Sequence, residues 1–134
     1  MSGSQQHLTG LQIALLHVLW QRGEASVSEI CEALRPERAL APTTVATVLS
    51  RLEKRGVVSH RREARQFLYR AAITEGDVRG SMVQELTERL FHGDVAELVN
   101  HLLAARDIGP DDLARVKQMV EAHEKGTEVN RDKR

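Results

Sequence analysis

The chain has 134 residues, 41% of them apolar and only 3% aromatic, with 19 basic and 19 acidic residues and a net charge of zero. That length suits one modest domain or two small cooperating ones, and the shortage of aromatics means the core has to be aliphatic. The single cysteine, Cys31, excludes an internal disulfide framework and a cysteine-only metal site within one chain.

Thr9 is placed to cap a first helix over 10–22, in which Leu11, Leu15, Val18 and Leu19 recur at helical spacing and Gly23 is the stop. The longest apolar run, Ile13–Trp20, is interrupted by His17 and is too short to cross a bilayer. Nothing before it has the pattern of a signal peptide, so a cytoplasmic protein without membrane insertion is expected. After a short extended piece, Ser28 is read as the cap of a second helix over 29–34, with Ile30, Ala33 and Leu34 inward. Pro42 opens a third helix over 42–55, where a missing N–H costs nothing, and Gly56 closes it. The period then changes from helical to alternating. Val57–Arg61 and Gln66–Arg70 read as two strands joined at a tip, Glu63–Arg65. Three further helices follow over 75–90, 94–105 and 111–124, each with one apolar stripe and one charged face. From Lys125 the chain is polar, and a disordered tail over 125–134 is expected.

Three short helices followed directly by a hairpin predict a mainly α fold. The expected arrangement is a winged helix-turn-helix domain over 1–72, then a helical dimerisation domain over 73–124. With Val45, Val48, Leu49 and Leu52 inward, the third helix turns Thr43, Thr44, Thr47, Ser50, Arg51 and Lys54 outward. Thr43, Thr47, Arg51 and Lys54 follow i, i+4, i+8, i+11 and share one side. Threonine hydroxyls and methyls can reach base edges, Arg51 can grip a guanine with two hydrogen bonds, and Lys54 suits a phosphate. Arg61, Arg62 and Arg65 crowd the hairpin tip, which has no structural need of three arginines. The charge distribution agrees: residues 1–72 carry ten basic and six acidic side chains, residues 73–134 nine and thirteen. A local basic stripe on a neutral chain is the footprint that phosphate contacts need.

Other chemistries find little support. The six histidines, at 7, 17, 60, 92, 101 and 123, never stand three or four residues apart, so no metal or other cofactor is expected. There is no nucleophile motif, HExxH or glycine-rich phosphate loop, so catalysis is not expected. A winged helix that presents its basic wing to an acidic protein partner is the alternative to a DNA reader.

The stretch from Leu8 to Thr74 resembles the penicillinase repressor family (BlaI/MecI/CopY). The resemblance rests on Leu8-Thr9, Val18-Leu19-Trp20, Thr44-Val45, Thr47-Val48-Leu49, Arg51-Leu52, Lys54-Arg55-Gly56 and Phe67-Leu68-Tyr69. Leu90–Leu103, LFHGDVAELVNHLL, is similar to that family's C-terminal segment. The resemblance implies a homodimeric repressor that reads a palindromic operator in double-stranded DNA. Residues Leu86, Leu90, Val95, Leu98, Val99, Leu102, Leu103, Val116 and Val120 would make its dimer. It also implies release by cleavage, triggered by a membrane metallopeptidase sensor, between an asparagine and a phenylalanine. Here Asn100 holds the first position, but His101 replaces the phenylalanine. The copper-responsive branch has a C-terminal cysteine cluster that this chain lacks.

Overall fold

A computed structural model describes residues 8–105 and 108–132, with side chains described through residue 126. The elements are α1 (Gly10–Arg22), α2 (Val27–Leu34), α3 (Pro42–Lys54), β1 (Val58–Glu63), β2 (Gln66–Ala71), α4 (Glu75–Phe91), α5 (Val95–Ala104) and α6 (Pro110–Asp132). The chain falls into two units, Met1–Glu85 and Leu86–Arg134. The division lies inside α4, beyond the boundary expected after residue 72. The start of α4 is held to the first unit: Val78 is buried, and the Trp20 indole N–H donates to the Ile73 carbonyl at 2.9 Å.

In the first unit, α1 begins with a reciprocal cap. Thr9 Oγ1 accepts from the Gln12 amide, and Gln12 Oε1 accepts from the Thr9 amide. Two of the four free donors at the helix start are thereby satisfied. The start of α2 differs from the sequence expectation. Its cap is Ser26, not Ser28, and the helix takes in Val27 and Ser28. Ser26 Oγ accepts from the Glu29 amide at 3.2 Å, and the Glu29 carboxylate accepts from the Ser26 amide at 2.8 Å. Ser28 has Cys31 three residues on, which cannot reciprocate.

α3 starts at Pro42 as expected, with no side-chain cap on Ala41, and ends one residue earlier, at Lys54. Gly56 follows at φ +78°, a conformation that costs a side-chain-bearing residue about 1–2 kcal/mol. This turn releases the chain directly through Val57 into β1, and Val57 and the first strand residue Val58 are both buried. The hairpin is antiparallel, pairing Val58 with Ala71 and Glu63 with Gln66. Its two-residue turn is Ala64-Arg65, shorter than the expected tip. Ala25 bridges Tyr69 through two backbone hydrogen bonds of 3.0 and 2.8 Å, which ties the hairpin to the α1–α2 turn. Leu15, Leu16, Leu19, Ile30, Val45, Leu49 and Leu52 interlock beneath these elements as the aliphatic core, with Cys31 buried among them.

In the second unit, His92 and Gly93 both take positive φ at the end of α4. Asp94 then caps α5, accepting from the Glu97 amide at 3.1 Å. No residue of α5 is buried. α6 continues to Asp132, so the disordered tail expected from residue 125 is corrected: residues 125–132 are helical. Lys117, Glu121 and Lys125 recur every fourth residue, a spacing that supports a polar helix without a core to pack on. Among the described residues no helix is long and apolar enough to cross a membrane.

Candidate nucleic-acid interface

Burial of Val45, Leu49 and Leu52 fixes the rotation of α3 about its axis. Thr43, Thr44, Thr47, Ser50, Arg51 and Lys54 are consequently exposed together, as the sequence predicted. Ala46 shares their face. Its methyl is too small to shield the backbone, so this side of the helix can approach a flat surface closely. Thr47 Oγ1 donates to the Thr43 carbonyl at 2.9 Å. The hydroxyl hydrogen is thus committed to the helix, and Thr47 meets a ligand with acceptor lone pairs and a methyl group. The basic side chains Arg51 and Lys54 lie in the last turn, so the face runs from hydroxyls at its N-terminal end to cations at its C-terminal end.

The hairpin sorts its arginines by the period of two that every strand obeys. His60 pairs across the strands with Tyr69 and Arg62 with Phe67, so these four share one face. Arg61 pairs with Leu68 on the other. The expectation of one phosphate-facing tip of Arg61, Arg62 and Arg65 is therefore divided by the register. Arg61 is also engaged. Its Nε and a terminal nitrogen donate to the two Glu24 carboxylate oxygens at 2.7 and 2.9 Å, and its other nitrogen donates to Glu63 at 3.1 Å. The Arg61 guanidinium in turn holds the Glu24 carboxyl below its ordinary pKa of 4.5. Arg62 and Arg65 are exposed, and the Arg62 guanidinium stands 6.0 Å from the Phe67 ring centre.

Sequence reasoning missed the contact that joins the hairpin to α3. His60 Nδ1 lies 2.8 Å from both carboxylate oxygens of Glu53, the separation of an N–H donated to a carboxylate. The imidazole is flanked by Phe67 and Tyr69, with ring centres 4.7 and 5.3 Å away. Burial, with help from the Glu53 charge, raises the Tyr69 phenol above its ordinary pKa. Alternation along β1 could have placed His60 on the Phe67–Tyr69 side, but nothing local in the sequence pairs it with Glu53.

The second unit presents apolar surface instead. Of the residues expected at a dimer contact, Leu86, Leu90, Val95, Val99, Leu102, Leu103 and Val120 are exposed. Leu98 and Val116 are half-buried. Asn100 and His101 lie inside α5, both exposed, and the His101 ring stands edge-on to Phe91 at 5.9 Å. No group of three or more His, Cys, Asp or Glu side chains able to hold a metal occurs among the described residues.

Comparison with known proteins adds a family to this geometry. Residues 8–122 match the penicillinase repressor family model. The methicillin resistance regulatory protein MecI of Mammaliicoccus sciuri is 19% identical over 120 residues, which span 90% of this chain and 98% of that protein. The penicillinase repressor of Bacillus licheniformis is 23% identical over 116 residues, 87% of this chain and 91% of that one. Among solved structures, the monomeric form of B. licheniformis BlaI in complex with the blaP half-operator is 28% identical. It covers 54% of this chain and 88% of that chain, at a TM-score of 0.47. The relatives are repressors, not enzymes. With its model matched over all but the two ends, the chain belongs to the penicillinase repressor family of DNA-binding transcriptional regulators.

Proposed function

We propose that this protein is a homodimeric repressor whose two α3 helices enter successive major grooves of a two-fold symmetric operator. The observation that carries the reading is the exposed face of α3. Thr43, Thr44, Thr47 and Arg51 stand clear of the core on a helix whose opposite side is fully buried. Such a face has no packing role, while its short hydroxyls and single arginine match what major-groove base edges offer. Lys54 of α3 and the exposed Arg62 and Arg65 of the hairpin would meet phosphates on either side.

The second unit supports the dimer. Fully burying a leucine or valine side chain contributes about 1.5–3 kcal/mol. The unburied stripe over Leu86, Leu90, Val95, Val99, Leu102, Leu103 and Val120 is therefore a large unused store of stabilisation. A second copy presents the same stripe, and two-fold symmetry doubles the length of DNA that is read. Release by a membrane metallopeptidase sensor would cut between Asn100 and His101. Both residues are inside α5, so the helix has to unwind before a protease can hold that bond in an extended form.

Footprinting on the DNA upstream of the protein's own gene tests the proposal. Two protected half-sites related by a dyad, one helical turn or a multiple of it apart, are expected. Protection that does not depend on sequence, or that an acidic polypeptide abolishes as readily as operator DNA does, would favour an acidic protein partner and contradict it.

A further inference from the structure

Two consecutive residues of β1, His60 and Arg61, point to opposite faces of the hairpin, and each meets a carboxylate from a different part of the first unit. His60 holds Glu53 of α3 at 2.8 Å. Arg61 grips Glu24 of the α1–α2 turn through two hydrogen bonds of 2.7 and 2.9 Å. From these contacts we propose that Arg61 is a positioning residue and not a DNA contact: with His60 it forms a two-sided clasp that sets the angle of the wing against α3.

The proposal rests on the DNA-binding reading above and deepens it. A two-stranded hairpin on its own is marginally stable in water and twists freely. The backbone bridge from Ala25 to Tyr69 anchors β2 at its fourth residue of six. The part of the hairpin that carries Arg62 and Arg65 lies beyond that bridge. The clasp lies between the bridge and that tip, with His60 opposite the bridged Tyr69 and Arg61 opposite the buried Leu68. It adds a carboxylate contact on each face through charge-assisted hydrogen bonds. Glu63 adds a third carboxylate contact to Arg61 at 3.1 Å, so its guanidinium is surrounded by acidic oxygens that would repel an approaching phosphate. Among the described residues Arg62 has no such partner; it lies beside Phe67 on the Glu53 side of the hairpin. The division of labour follows from strand alternation: odd-facing Arg61 fixes the wing, and even-facing Arg62 is left for the phosphate backbone.

Salt dependence distinguishes the two roles. Each phosphate contact contributes about 0.9 to the slope of log affinity against log salt on B-DNA. Binding of a random-sequence duplex would be measured across a salt series for wild type, Arg61→Ala, Glu24→Gln, the double variant and Arg62→Ala, with thermal melts confirming that each is folded. Arg62→Ala is expected to lower the slope by about 0.9. Arg61→Ala and Glu24→Gln should each weaken binding severalfold with the slope unchanged, and the double variant should lose no more than either alone. Glu53→Gln, which opens the clasp from the other face, should behave as Glu24→Gln does and serves in its place if that variant does not fold. A slope for Arg61→Ala reduced as much as that for Arg62→Ala would overturn the proposal. So would a Glu24→Gln protein that binds as well as wild type or better, since freeing a DNA-contacting arginine from its carboxylate should help. Wild type that binds no duplex would overturn the DNA-binding reading itself, and the clasp's role with it.

Discussion

Ser26 and Glu29 satisfy each other's hydrogen-bonding needs at the start of α2, and this small exchange sets where the helix begins. Removing a capping hydroxyl costs about 1 kcal/mol. Ser26→Ala should therefore lower the melting temperature, while Ser28→Ala, inside the helix, should leave it nearly unchanged or raise it slightly. Equal losses from both would contradict the cap assignment. The Ser-x-x-Glu spacing is present in the sequence at 26–29, but Ser28 stands nearer the apolar positions Ile30, Ala33 and Leu34 and offers a competing hydroxyl. Acidity acts on the same scale. The Ser26 amide and hydroxyl lower the Glu29 pKa, and the Arg61 guanidinium lowers that of Glu24. A carboxylate whose pKa falls on folding stabilises the fold above its ordinary value of 4.5 and loses that contribution as pH drops through the lower folded value. Melts taken from neutral pH downward should hold steady to about that point and then decline, and the decline should be shallower in Glu24→Gln.

The junction between α3 and β1 is the element on which the binding surface depends. Gly56 at φ +78° reverses the chain within one residue, so that Val57 and Val58 enter the core immediately and the hairpin springs from the end of α3. A methyl group at this position meets no neighbour within 4 Å, so the cost of Gly56→Ala is conformational and not steric. About 1 kcal/mol of stability should be lost, read as a shift in the denaturant midpoint with unchanged slope. The elements themselves were legible. Helical spacing gave α1 to α3, Pro42 and Gly56 bounded the third, and the change of period after Gly56 gave the hairpin. Individual roles on the hairpin were not legible. Three arginines close in sequence looked like one patch, yet alternation sends Arg61 and Arg62 apart, and the partner of Arg61 lies 37 residues upstream. The reach of α6 was missed for a related reason. A stretch with few apolar residues leaves no periodic signal, and Gly126 weakens a helix, yet Lys125–Asp132 holds no proline to end it.

Over the whole molecule the sequence divides its charge, with an excess of four basic residues in 1–72 and of four acidic residues in 73–134. The basic excess lies with α3 and the wing; the acidic part carries the exposed apolar stripe. A neutral chain can thus offer DNA a locally positive surface. Leu102 is 53% exposed, so Leu102→Asp should spare the fold of a single chain and still break the proposed dimer. Sedimentation should then find monomers that bind DNA weakly; an intact dimer would remove α5 from the interface. The central claim, that α3 reads base edges, is tested most directly at Arg51. The measurement is the ratio of affinities for the upstream operator and for a random duplex, in wild type and in Arg51→Ala at one salt concentration. If Arg51 grips a base, the variant should lose about 1–3 kcal/mol of that discrimination while its binding to random DNA changes far less. An Arg51→Ala protein that keeps the wild-type ratio would contradict the account.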